Sequence, residues 1–360
     1  MINRVFELPF YAKTSLIIIG LFISFWILYL TQAIIIPLIF GFIIAILLNP
    51  MVIYLGKWMN KILAILITLF FSFIIIAAFG AILLNQISHF GDSWPILIQK
   101  MSILLNQCIQ ISATFLDISP EQINDWILKS RNDILNSVSA ILGDTLLTIG
   151  NVLVTLFIIP IYTFIILYYK KLLSEFIVKV FAYNKKRQLI AIVAQIKLTI
   201  QHYLTGLVIE AIIVALLNIL TLWIIGIEYA ILLGIIAAIL NVIPYVGGIV
   251  AFALPMMLAI VTKSSAWYAV YVFIGYSIIQ FIDNNFIVPK IVASRVKINA
   301  LFSIIVVFAG NALWGISGMF LSIPILAIIK VICDHVSVLK PWGFLLGDTL
   351  PTRKERRPEL

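Results

Sequence analysis

Hydrophobic residues in this chain come in long continuous runs divided by short polar breaks. The runs do not alternate at period two, so they predict helices that cross a bilayer rather than strands of a barrel. The first predicted span is Ser15 to Leu30. The second is Ala33 to Asn49, with Pro37 near its start, and the third is Ile62 to Leu84. Polarity then returns from Asn85 to Leu146. Within that stretch Trp94, Leu97, Met101, Leu104, Cys108, Ile111 and Phe115 recur at a strict 3-4 spacing, a heptad-like seam. Ser119-Pro120-Glu121-Gln122 reads as a helix start, with Ser as N-cap and Pro at the first helical position. The helix it opens places Ile123, Ile127, Ile134, Val138 and Ile141 on one face. Together these predict an extracytoplasmic helical hairpin. A fourth span runs from Thr148 to Tyr169, and a fifth from Tyr203 to Ile225. Between them, Lys170 to Gln201 mixes basic residues with an apolar stripe (Leu189, Ile192, Val193, Ile196). That pattern predicts an amphipathic helix on the membrane surface.

The last part of the chain carries two apolar runs broken near their middles. In the first, Asn241-Val-Ile-Pro244-Tyr245-Val-Gly247-Gly248 separates Tyr229–Ile243 from Ile249–Thr262. Pro244 removes a backbone donor and crowds the turn before it, while Gly247 and Gly248 admit close backbone approach. Freed backbone groups in hydrocarbon must be satisfied by protein or by a water-filled cavity, so this stretch predicts a turn between two half-length helices near a solute path. In the second run, Trp314-Gly315-Ile316-Ser317-Gly318 separates Ala300–Leu313 from Met319–Ile332. The expected fold is therefore all-α and polytopic, with two broken-helix or hairpin elements. The domain reading is 1–84 as N-terminal membrane helices and 85–147 as the outer hairpin. Residues 148–335 then form the transport membrane domain with its surface helix at 170–202, and 336–360 a tail.

Composition strengthens the membrane reading. The chain is 63% hydrophobic and only 11% charged, with a mean hydropathy of +1.17, whereas soluble domains are about a quarter charged. The net charge of +9 could point to nucleic acid, but its distribution fits the positive-inside rule instead. With 1–13, 50–61, 170–202, 284–299 and the tail assigned to the cytoplasm, 20 of 24 basic residues face inward, counting Lys330 near the inner end of the last apolar run. The outer hairpin holds six acids, Asp92, Asp117, Glu121, Asp125, Asp133 and Asp144. Both termini come out cytoplasmic. Charge alone leaves open whether each broken element is two short spans or a re-entrant hairpin.

Several of these residues resemble the motifs of the autoinducer-2 exporter family of bacterial membrane proteins. The resemblance is carried by Tyr203, Gly206, Gly226, Gly234, Asn241 and Ile243-Pro244-Tyr245-Val246-Gly247, then by Asp283-Asn284, Pro289, Gly315, Gly318 and Pro324. It covers most of the chain and is strongest from about 200 to 335. One departure is Gly248, where the family pattern leads one to expect proline; glycine there loosens the turn. The resemblance implies about eight spans in a bacterial inner membrane. It also implies export of a small polar signalling molecule (autoinducer-2, used in quorum sensing) or, in some relatives, exchange of sodium for protons.

No nucleotide-binding loop, nucleophile elbow or zinc-ligand pair is present in the sequence, which argues against an enzyme, a cofactor or ATP-driven transport by this chain. Of the acids, Glu210 and Asp283 fall within or at the edge of predicted spans. An intramembrane carboxylate is costly and points to function, here to coupling with a proton or sodium ion. Its structural alternative is a carboxylate satisfied by neighbouring helices. Asp283 sits in a polar cluster with Gln280, Asn284 and Asn285, and Gln280 shares its helix face. Asn241, Pro244, Tyr245, Gly247, Gly248, Gln280, Asn284, Gly315 and Gly318 are the candidate solute-path residues. The path is expected between the two broken elements, which would face each other as in many secondary transporters. The alternative functions are a cation/proton antiporter and a non-transporting scaffold that recruits partners. The heptad seam adds the expectation of a homo-oligomer.

This topology has a direct check in a Cys108→Ser background. Lys129→Cys is expected to react with a membrane-impermeant thiol reagent on intact cells, and Lys57→Cys only after permeabilisation. The opposite pattern would invert the topology.

Overall fold

The computed structural model describes residues 9–116, 157–180, 186–242, 247–263, 265–292 and 298–348. Among them the helices are α1 (Phe10–Leu30), α2 (Gln32–Leu55), α3 (Lys61–Leu116) and α4 (Phe157–Val180), then α5 (Lys186–Ile225), α6 (Ala230–Asn241), α7 (Gly247–Thr262) and α8 (Trp267–Ile282). After α8 the backbone widens into π-helical turns over Asp283–Val292, followed by α9 (Ala300–His335) and α10 (Lys340–Leu346). No strand occurs among the described residues. The protein is an all-α, polytopic membrane protein. Its helices turn apolar side chains outward, and α1 buries none of its residues. In lipid the intrahelical hydrogen bonds satisfy the backbone, and outward apolar side chains meet acyl chains and not water.

Two expected boundaries shift. The seam expected as a separate helix from Trp94 to Phe115 is the continuation of α3, which runs unbroken for 56 residues, roughly 84 Å. The basic stretch 170–202 is likewise shared between the end of α4 and the first turns of α5, which has 40 residues. At Asn85–Gln86 the change of polarity does not stop the helix. The second helix expected in the outer hairpin, from Ser119 to Ile141, lies outside the described residues, as does the turn at Pro244.

The chain divides into two compact units. The first comprises 1–46, 170–200 and 297–360. Here α9 is not one straight rod. Trp314 (φ −137°, ψ 20°) and Gly315 (φ 59°, ψ −140°) leave helical geometry, and only glycine takes the second conformation without strain. The arms fold back on each other about this point. The Ser322 hydroxyl reaches the Val306 carbonyl at 2.7 Å and the Gly318 carbonyl at 2.6 Å. A Cβ on Gly310 would overlap the Gly318 carbonyl, and one on Gly318 would overlap the Gly310 carbonyl. The arm 300–313 is roughly 21 Å long, shorter than a hydrocarbon core of about 30 Å, and it pairs with the arm that follows it as a helical hairpin. By length and composition alone Ala300–His335 would count as a single span; the contacts across the fold-back decide otherwise. Asn299 caps the hairpin, accepting from the Leu301 amide at 2.9 Å, and its own amide donates to the Leu346 carbonyl at 2.9 Å. The Trp314 indole donates to the Leu28 carbonyl at 3.1 Å, pinning the tip to α1.

The second unit comprises 47–169 and 201–296. Small residues let its helices approach closely. A Cβ on Gly234 of α6 would overlap Ile219 of α5, and one on Gly275 of α8 would overlap Thr221 of α5. The α5–α6 connection is sharp, with Gly226 at φ 77° and Tyr229 at φ 60°. The Tyr229 conformation is uncommon for a residue with a Cβ. Tyr229 packs edge-on against Phe90 of α3 at 5.3 Å, which holds it there. This contact joins two points that the sequence topology places on one side of the membrane. A core of Leu222, Leu233, Leu258, Ala259 and Val272 fills the space among α5 to α8.

Gly310→Leu is therefore expected to destabilise the α9 hairpin by about 1–3 kcal/mol or more, the scale of overpacking, while Gly20→Leu, with open space around it, is expected to have no effect. Thermal midpoints of the purified variants in detergent check this; equal midpoints would contradict the fold-back.

Candidate functional site

Three helices of the second unit each contribute one polar residue to a common point. Glu210 comes from the apolar body of α5, Asn241 from the last turn of α6, and Asp283 from the junction where α8 passes into π-helical turns. The junction has a local cause. Pro289 cannot donate a backbone hydrogen bond and its ring crowds the carbonyl four residues earlier, so wider turns relieve the clash.

The Asn241 amide nitrogen donates to Asp283 Oδ2 at 2.8 Å and reaches Glu210 Oε1 at 3.4 Å. One side chain thus bridges two carboxylates from different helices. Both acids are buried, Glu210 with 5% and Asp283 with 2% of its surface exposed. Neither forms an ion pair among the described residues, where Lys330–Asp334 is the salt bridge found. Lys290, seven residues after Asp283, lies over the Phe286 ring at 5.8 Å. Two carboxylates this close in a low-dielectric interior need a compensating positive charge, and a proton or a small cation supplies one.

A cavity adjoins the bridge, lined by Asn218, Asn241, Tyr276, Gln280 and Asp283 with apolar Val214, Ala237, Ala251 and Ile279. It has room for about one water-sized group. Three buried oxygens of lining residues, Asn218 Oδ1, Tyr276 Oη and Asp283 Oδ1, have no hydrogen-bond partner among the described residues. An unsatisfied buried polar group costs about 1–3 kcal/mol, so three in one place stand out. Its lining draws on two apolar clusters: Ala237, Ala251 and Tyr276 belong to the core with Leu222 and Val272, and Val214 and Ile279 to the cluster with Ala238 and Ile287.

Of the residues expected from sequence, Glu210, Asn241, Gln280, Asp283 and Asn284 meet here. Gln280 donates to Asn284 Oδ1 at 3.3 Å. Gly247 is required by contact, because a Cβ would overlap the Leu240 carbonyl and the Asn241 backbone where α7 starts against the end of α6. Gly248 faces the Gln280 amide, which a Cβ would displace. Pro244 and Tyr245 lie outside the described residues. Gly315 and Gly318 belong to the first unit, where they form the tip of the α9 hairpin.

Two residues escaped the sequence reading, Asn218 and Tyr276. Their signal was helical spacing. Asn218 lies eight residues after Glu210 on α5, and Tyr276, Gln280 and Asp283 recur at i, i+4 and i+7.

Asn241→Ala is expected to lower stability by about 1–3 kcal/mol, since it strips both carboxylates of their common donor. Gln280→Ala, which loses only a half-exposed contact, should change it by about 0.5 kcal/mol or less. Detergent thermal midpoints compare the two, and an Asn241→Ala midpoint equal to that of Gln280→Ala would contradict the bridge.

Known proteins place this geometry in context. The family described as AI-2E family transporter matches residues 16–337. The chain is 33% identical over 133 residues to YrrI, a candidate transport protein of Bacillus subtilis (strain 168), covering 37% of each chain. It is 31% identical over 127 residues to a candidate transport protein of Borreliella burgdorferi, covering 34% of each. It is 26% identical over 150 residues to the AI-2 transport protein TqsA of Escherichia coli (strain K12), covering 42% of this chain and 43% of that protein. The matched part spans less than half the length of each of these relatives.

Proposed function

Because this chain belongs to the AI-2E transporter family, we propose that it is a secondary transporter that exports a small polar solute from a bacterial cell and couples that export to an ion. The observation that carries the coupling is the Asn241 bridge between two buried carboxylates on separate helices. Binding or releasing a positive charge at this point changes the balance of forces between α5, α6 and α8, and so can favour one helix arrangement over another. Asn241 holds the two acids in register; Glu210 and Asp283 bind the coupling ion. Gln280, Asn284 and the glycine start of α7 offer polar and backbone groups beside them. The name of TqsA supports an autoinducer-2-like solute. The transport setting is the inner membrane with both termini cytoplasmic and no enzymatic step, and the long α3 supplies the surface for a homo-oligomer.

One observation favours a second reading, cation/proton antiport with no organic solute. The cavity at the bridge has room for about one water-sized group, enough for an ion and too small for a sugar-like molecule.

Flux in proteoliposomes, measured with a panel of polar solutes under imposed sodium or proton gradients, separates the readings. Gradient-driven solute flux that falls about tenfold or more (about 1.4 kcal/mol) in Glu210→Gln and in Asp283→Asn supports ion-coupled export. Undiminished flux in both variants would remove the coupling role. Sodium-dependent proton movement without solute flux would replace export by antiport.

A further inference from the structure

After the α9 hairpin the chain does not run straight out into solvent. It turns through Ser337–Leu339, and α10 folds back along the last turns of α9, all within the first unit. Contacts fix its course. A Cβ on Gly343 would overlap the Asp334 side chain and crowd the backbone at Cys333, and the Leu346 carbonyl accepts from the Asn299 amide at 2.9 Å. Asn299 is the cap from which the first arm of the hairpin starts. α10, roughly 10 Å long, therefore lies between the end of one arm and the start of the other. That is the open end of the hairpin, the end that meets the membrane surface. Gln188, in the first turn of α5, donates to the His335 carbonyl and brings that end of α5, with exposed Arg187, to the same level.

Within α10, Gly343 and Leu346 are the buried residues. The side chains around them point elsewhere: Val338, Trp342, Phe344 and Leu345 expose 82%, 61%, 58% and 47% of their surfaces. Lys340 is exposed as well. We propose that α10 and the start of α5 form a docking surface for anionic phospholipid, with Trp342, Phe344 and Leu345 seated among the upper acyl chains and Lys340 and Arg187 on the phosphates. The proposal does not depend on what the protein transports.

Three features choose anionic lipid over water or protein. A seven-residue helix is too short to hold its shape alone, and its buried face offers one glycine and one leucine, so its outer apolar residues need cover. Its level supplies that cover. Tryptophan and other amphipathic rings concentrate at the headgroup layer, and basic side chains extend on apolar stems to the phosphates. Charge then selects the headgroup. Lys340 and Arg187 form no ion pair among the described residues, where the pair at this end is Lys330–Asp334. The sequence beyond α10 adds Arg353, Lys354, Arg356 and Arg357 against Asp348, Glu355 and Glu359. A second copy of this face would bring like charges together, whereas an anionic headgroup meets them with the opposite sign.

Quenching of Trp342 in proteoliposomes of the full-length protein tests this. The chain has 8 tryptophans, so the Trp342 signal is the emission lost in Trp342→Phe. That signal is expected to be quenched by phosphatidylglycerol brominated high on its acyl chains and to be shielded from aqueous acrylamide. Brominated phosphatidylcholine at the same fraction should quench it less. Lys340→Gln should lower the preference for phosphatidylglycerol about fivefold, the factor equivalent to about 1 kcal/mol per basic residue near an anionic surface. Quenching by acrylamide and not by brominated lipid would place α10 in water and overturn the proposal. Quenching by neither would overturn it in favour of a protein contact. Equal quenching by the two brominated lipids, unchanged in Lys340→Gln, would overturn the choice of an anionic headgroup. If Trp342→Phe does not fold, a nitroxide at Leu345→Cys in a Cys108→Ser, Cys333→Ala background gives the reading instead. Its collisions with oxygen should exceed those with a water-soluble nickel chelate, and the reverse order would overturn the proposal.

Discussion

The hydrogen bonds from one asparagine amide to two buried carboxylates set the constraint on which the second unit depends. An ionised carboxylate inside a bilayer is among the most costly groups a helix can carry. Here two carboxyl groups, Glu210 and Asp283, share the Asn241 amide as donor. Their helices must therefore stay close enough for one side chain to reach both. Gly234 against Ile219 and Gly275 against Thr221 make that approach possible, because a Cβ at either glycine would force the helices apart. The same closeness leaves a cavity of about one water at the meeting point. Packing, polarity and the proposed chemistry are thus consequences of a single juxtaposition.

The α9 hairpin shows a related economy in the first unit. Trp314 and Gly315 break the helix, and Gly310, Gly318 and Ser322 close the two arms on each other. The α9 hairpin owes its turn to residues that a straight span would exclude. Broken helices of this kind free backbone groups inside the membrane, and those groups must be met by protein or by water. The Ser322 hydroxyl lies within reach of the Val306 carbonyl across the fold and of the Gly318 carbonyl one turn back on its own arm.

Much of this was legible in the sequence. Long apolar runs gave the spans, and the glycine and proline breaks gave both hairpins, because hydrocarbon tolerates few alternatives. Glu210 and Asp283 stood out because charge is rare in such runs. The helix ends were harder. A polar stretch such as Asn85–Gln86 reads as the end of a span, yet α3 continues through it, since leaving lipid does not oblige a helix to stop. The neutral members of the site were harder still. Asn218 and Tyr276 carry no charge, and uncharged polar residues are common in membrane helices as packing contacts. Only the pairing of α5 with α8, a long-range contact, shows that they line a cavity with Asp283. Gly248 is a similar case: its departure from the family pattern was visible, but its contact with Gln280 was not.

The central claim is that the Glu210–Asn241–Asp283 bridge binds and releases the coupling charge. Infrared difference spectroscopy of the protein in lipid, recorded as sodium or pH is switched, reads buried carboxylates directly. The account predicts carboxyl and carboxylate bands that change on the switch, lose one component in Glu210→Gln and another in Asp283→Asn, and shift in Asn241→Ala. Difference bands that persist unaltered in all three variants would contradict it.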